Sequence, residues 1–239
     1  MSRLTALSVP GTERCARLPL FGPHDSLNKP NLQVATKDVL VRMSPKGPEL
    51  HLRLEPDPGW KSSQGTSGGP SVLQRVGWIR VFSCETGAPT QSLEVESKWG
   101  GPEFFLRFFE VKDINCDGYL DVAVVRDGGA TWGNQTWWVF SPASETFISD
   151  DLTQALSRID NNGLKLDAVH QNITAYQYSY PQGCGMTKDV YHVEQNRRLV
   201  LVHEEDPDSE GDGCRLTTRD LLDGQLRVTK VQQLHEFPH

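Results

Sequence analysis

The stretch Phe104-Phe-Leu-Arg-Phe-Phe-Glu-Val-Lys-Asp113-Ile-Asn-Cys-Asp-Gly-Tyr-Leu-Asp121-Val-Ala-Val-Val125 decides how the chain is read. Aromatic and β-branched residues crowd both ends, which predicts strands over Phe105–Val111 and Leu120–Val125. Between them lies a polar segment with oxygen-bearing side chains at positions 1, 3, 5 and 9 (Asp113, Asn115, Asp117 and Asp121) and glycine, Gly118, at position 6. Four such side chains can converge on one hard cation. The glycine supplies the sharp turn that convergence needs, and the Tyr119 carbonyl supplies the ligand at position 7. Position 12 is Val124, so the bidentate glutamate of a helix–loop–helix calcium site is missing. Turn chemistry alone accounts for Asn115, Asp117 and Gly118. It does not account for Asp113 and Asp121, whose charges would repel without a counter-ion. The expectation is one Ca2+ ion with a structural role, held on a loop between two strands.

The same β-rich signature continues outward. Val39–Arg42, Leu50–Leu54, Trp78–Phe82, Leu93–Val95, Val122–Val125, Trp137–Phe140, Val190–Val193, Leu199–Val202 and Leu226–Val228 alternate with turn signals such as Asp57-Pro-Gly and Asp223-Gly. This predicts an all-β fold, an antiparallel β-sandwich or a propeller-like arrangement. It adds one short helix at Asp151–Ser157, capped by Asp150 or Asp151. Residues 1–34, with several prolines and little periodicity, read as a loose N-terminal arm, and 35–239 as a single β-rich domain. Lys61–Pro70 reads as a flexible loop.

At 239 residues and 37% hydrophobic the chain can bury a substantial core. A net charge of −7 argues against nucleic acid, and no apolar run reaches the length of a membrane span. Catalytic signatures are missing too: no Gly-x-Ser-x-Gly elbow, no His-Glu-x-x-His and no glycine-rich phosphate loop. The chain reads as a binding protein and not as an enzyme.

Five cysteines, none in a Cys-x-x-Cys pair, suit two disulfides in an exported protein. Cys184 precedes the strand at Val190, and Cys214 follows the acidic excursion after Val202. If the two strands pair, both cysteines fall near one edge, which predicts a Cys184–Cys214 bridge. Cys84 with Cys116 is the competing pairing, compatible with the first and leaving Cys15 free.

From about residue 77 to 204 the order of features resembles a bacterial family, the periplasmic inhibitors of invertebrate-type lysozymes and related calcium-binding immunity proteins. The matching pieces are Ile79–Leu93 with its Thr-Gly…Gln turn, the loop Asp113–Asp121, Gly133–Phe147 with its Asn…Trp…Phe…Phe hairpin, the Leu152 segment, and Val190–Val202. The resemblance implies a periplasmic protein, its signal removed ahead of Met1 and compatible with membrane anchoring. It implies a protein partner, a peptidoglycan hydrolase effector. A loop carrying Tyr178, Tyr180 and Gln182, with the acidic residues Glu204, Glu205 and Asp206, forms the expected partner surface. The rival readings are a calcium-dependent adhesion or carbohydrate-binding module and an unrecognised hydrolase.

Overall fold

The computed structural model describes residues 36–60, 73–98, 101–128, 133–159, 164–178, 184–194, 197–210 and 213–234. The expected arm, the Lys61–Pro70 loop and Cys15 lie outside these.

Three antiparallel sheets follow one another along the chain, each laid out in chain order and none closed into a barrel. The first holds β1 (Lys37–Arg42), β2 (Glu49–Pro56), β3 (Gln74–Ser83) and β4 (Pro89–Ser97). The second holds β5 (Phe109–Lys112), β6 (Asp121–Gly128), β7 (Gly133–Ser141) and β8 (Thr146–Ile148), preceded by α1 (Pro102–Arg107). After α2 (Asp151–Leu156) comes a six-stranded sheet: β9 (Leu164–Asp167), β10 (Asn172–Tyr178), β11 (Met186–Val193), β12 (Leu199–Glu210), β13 (Gly213–Leu222) and β14 (Gln225–Leu234).

The second sheet is buried on both faces, because side chains alternate sides along a strand. Val122, Val124 and Phe140 enter a core with Leu50, Leu52, Leu54, Ile79 and Val81 of the first sheet. Ala123, Trp137 and Val139 point the other way, into a core with Leu152 and Leu156 of α2 and Ile173, Ala175 and Val193 of the six-stranded sheet. The adjacent Trp137 and Trp138 therefore serve different cores. Between β4 and β8 the side-chain amide of Gln91 stands in for a strand: it donates to the Phe147 carbonyl at 2.6 Å and accepts from the Phe147 N–H at 2.9 Å.

The expected helix forms as α2, with Asp150 as its N-cap and Thr153 completing a capping box. A second helix, α1, replaces the first half of the strand expected over Phe105–Val111. Pro102 sits at its start and Glu103 in its first turn, both favourable there. Phe104 and Phe108 stack four residues apart at 5.9 Å, and Phe105 turns inward with 2% exposure. Only Phe109–Lys112 remains as strand.

The acidic excursion Glu204–Glu210 is also strand, the outer half of β12. Its Pro207 is tolerated because β11 pairs with β12 no further than Glu205, so β13 alone flanks the strand beyond that point.

Candidate metal centre

Lys112 of β5 pairs with Asp121 of β6, so the loop bridges neighbouring antiparallel strands. Its apolar residues pin it from both sides. Ile114 is fully buried in the core shared with α2, while Tyr119 packs on the opposite core and stacks on Phe140 at 5.7 Å. The Leu120 N–H donates to the Met43 carbonyl at 2.8 Å, fastening the loop to the end of the first sheet.

Within this frame the polar side chains cap the loop's own backbone. Asp113 accepts from the N–H groups of Asp117 (3.1 Å) and Gly118 (2.9 Å). Asn115 accepts from the Asp117 N–H at 3.1 Å and donates to the Asp117 carboxylate at 2.8 Å. Asp117 in turn accepts from the Tyr119 N–H at 2.9 Å. Cys116 and Gly118 adopt positive φ, 58° and 86°, which folds the chain tightly enough for these contacts. Asp121 is fully buried and staples three segments: one oxygen accepts from the Ile114 N–H and the other from the Phe140 N–H, both at 2.9 Å. The partners of Asp121 escaped the sequence reading, since Phe140 lies nineteen residues away.

Burial pushes the Asp121 carboxyl up to about 7, against the pull of its two amides, and the charges of Asp117 and Asp113 push the same way. Asp113 is raised for the same first reason, with Asp117 adding to it. Among the described residues no lysine or arginine pairs with Asp113, Asp117 or Asp121. Lys112 turns away, its Nζ donating to the Leu164 carbonyl at 2.9 Å.

The donor set of hard oxygens, with uncompensated and partly buried negative charge, fits calcium in kind. Each carboxylate oxygen that accepts one N–H keeps a second lone pair. The carboxylates are nevertheless turned onto the loop's amides: among the described residues no group of three or more His, Cys, Asp or Glu is gathered to hold an ion.

The remaining expected residues divide. Cys184 and Cys214 form a disulfide, with Cα atoms 5.6 Å apart and a sequence separation of 30. The competing Cys84–Cys116 pairing does not occur: Cys84 is disulfide-bonded, but Cys116 is a free thiol on the Asp113–Asp121 loop, held there by the turn at Asp117–Gly118. Tyr178 ends β10 opposite Met186, while Tyr180 and Gln182 lie outside the described residues. Glu204, Glu205 and Asp206 alternate sides of β12 and each meets a cation. Arg219 holds Glu204 at 3.0 Å and Asp206 at 3.2 Å on one face, and Lys188 holds Glu205 at 2.7 Å on the other. His203 of β12 bridges Asp220 (2.7 Å) and Glu205 (3.0 Å).

Among the described residues no helix is long and apolar enough to cross a membrane. No protein-family model matches the chain, and no curated protein matches it. Among solved structures, a Xanthomonas type IV secretion system related protein is similar in fold, with a TM-score of 0.51 and 15% sequence identity over 82% of this chain and 99% of that one.

Proposed function

We propose that this chain is a periplasmic immunity or inhibitor protein that binds and blocks a cell-wall-degrading, lysozyme-like effector. The observation that carries the reading is the likeness to a secretion-system-related protein over 99% of that protein's length. The step from secretion-associated to inhibitor rests on the ordered motifs of the sequence. The Cys184–Cys214 bridge suits an oxidising compartment. It also ties Cys184, just ahead of β11, to the start of β13 beside the acidic strand.

Calcium belongs to this reading as a structural ion. Asp113, Asn115, Asp117, the Tyr119 carbonyl and Asp121 would hold it, and it would supply the positive charge that the loop lacks. The chain's own residues do the positioning: Ile114 and Tyr119 anchor the loop in the two cores, and Asp121 fixes it to β7.

The test is titration of the purified protein into peptidoglycan-hydrolysis assays with a panel of muramidases and amidases, with complexes weighed by light scattering. Stoichiometric one-to-one inhibition of at least one class is expected. No complex and no inhibition across the panel overturns the reading.

A further inference from the structure

Among the described residues β14 is the outermost strand of the six-stranded sheet and pairs with β13 alone. Nine of its ten residues are exposed. Of the usual guards of a free edge it has a lysine, Lys230, and a bulge at Thr229, but it is ten residues long and carries no proline. Among the described residues, four of the seven exposed large apolar side chains lie on this hairpin: Leu222, Leu226, Val228 (57% exposed) and Val231 (58%), the last three on one face. Single exposed apolar residues are ordinary, whereas a cluster marks a contact surface.

The register sorts the side chains. Val228 stands opposite Arg219 and Lys230 opposite Thr218, so Thr229 is an extra residue and the alternation shifts by one. Leu226, Val228 and Val231 consequently share one face, opposite Leu221, Arg219 and Thr217. Arg227 and Lys230 share the other, opposite Asp220 and Thr218. The bulge makes the edge two-sided, apolar on one face and basic on the other.

We propose that the free edge of β14 accepts an extended segment of a partner protein as a seventh strand, one with acidic side chains toward Arg227 and Lys230 and β-branched side chains toward Val228 and Val231. Backbone hydrogen bonds supply the affinity in such strand addition, and the alternating side chains supply the choice of partner. Charge fixes the occupant. Residues 225–234 carry two bases and no acid on a chain of net charge −7. A second copy of β14 would set cations against cations across the new pair, which destabilises it, whereas an acidic strand is attracted. Within the hairpin Arg227 reaches the 87%-exposed Asp223 at 3.9 Å, a weak tie.

The probe is a capped, fluorescein-labelled octapeptide alternating glutamate with valine and threonine, compared with a counterpart in which lysine replaces glutamate. Saturable binding of the acidic peptide is expected, at least tenfold tighter than the lysine form, with slowed amide exchange confined to 225–234. The double variant Arg227→Glu/Lys230→Glu, both exposed positions, is expected to invert the preference, a gain that misfolding cannot imitate. Equal binding of the two peptides, no binding of either, or an unchanged preference in the variant overturns the proposal. So does a dimer in sedimentation that Val228→Lys dissolves, because the edge then belongs to a second copy. None of these outcomes depends on hydrolase inhibition, so the two readings fail separately.

Discussion

The pairs β6–β7 and β13–β14 are both long antiparallel ladders, yet they live in different surroundings. β6 and β7 are apolar on both faces and sit between two cores, with Val122, Ala123, Val124, Trp137, Val139 and Phe140 all almost fully buried. β13 and β14 meet no core cluster: Thr217 alone is buried in the pair, and what crosses the neighbouring strands is charge. The same backbone pattern thus serves as the centre of the molecule in one place and as a projecting ledge in the other. The difference lies in what each strand's second face meets. Burying apolar surface stabilises at about 25 cal/mol per Å2, whereas exposed ion pairs contribute about 0–1 kcal/mol each.

Truncation shows the contrast at its largest. Trp137→Ala empties space between the second sheet and α2 and is expected to cost about 3–5 kcal/mol. Val228→Ala on the ledge should stay within about 0.5 kcal/mol. Urea unfolding midpoints measure both, and comparable losses would mean that the ledge is packed like the centre.

The ledge has one covalent support. Replacing Cys184 and Cys214 with serine is expected to lower stability by about 3–4 kcal/mol on the chain-entropy account of a loop with a sequence separation of 30. Amide exchange should rise first in β13 and β14 and leave β6 and β7 protected. Uniform acceleration through both pairs would show that the bridge supports the whole fold.

Calcium tests the central pair instead. A ligand that binds only the folded state adds about 2.7 kcal/mol at a hundredfold excess over its Kd. Melting temperature should rise in millimolar calcium relative to chelator, and Asp113→Ala or Asp117→Ala should remove the rise. Identical wild-type melting in both conditions, with no metal copurifying, ends the calcium assignment.

Much of the central pair was legible in the sequence, and little of the ledge was. The spacing Asp113, Asn115, Asp117, Gly118, Asp121 located a tight loop because its contacts are local, within a few residues. The continuous apolar run Val122–Val125 and the paired tryptophans announced strands with no polar face. The aromatic run from Phe104 fits strand and helix alike and was read as strand; the helix start that Pro102 and Glu103 favour was not weighed. The outer half of β12 was read as an acidic excursion because its neutralising partners, Arg219 and Lys188, lie thirteen to seventeen residues away. The apolar face of β14 depends on a one-residue bulge, which no periodicity count reveals.

The smallest expected effect comes from the ledge's one titrating group in the neutral range. His203 lies between Asp220 and Glu205, with Lys188 on Glu205, the Thr229 hydroxyl donating to Asp220, and Arg227 opposite Asp220 in the register. Burial by itself would lower the imidazole, but the hydrogen bonds it donates to the Asp220 and Glu205 carboxylates, together with their charges, outweigh it and hold His203 above its ordinary 6.5. A base raised in the folded state adds stability that is complete below 6.5 and lost as pH rises through the raised value. The carboxylates run the other way. Burial raises Glu205, but Lys188 and His203 bring it below 4.5, and the Thr229 and His203 hydrogen bonds hold Asp220 below 3.8. Their contribution is present above those ordinary values and fades as pH falls below them. The network is therefore strongest between about 5 and 6 and weakens toward 8. Amide exchange in β12–β14 should quicken as pH rises from 5.5 to 8, after correction for intrinsic rates; β6–β7 has its own titrating group there, Asp121 at about 7, so the His203 variant is the control. His203→Gln should flatten the ledge's profile while keeping a hydrogen-bonding side chain. A profile of the same slope in the variant would place the titrating group elsewhere and leave the ledge resting on its disulfide and its arginine pairs.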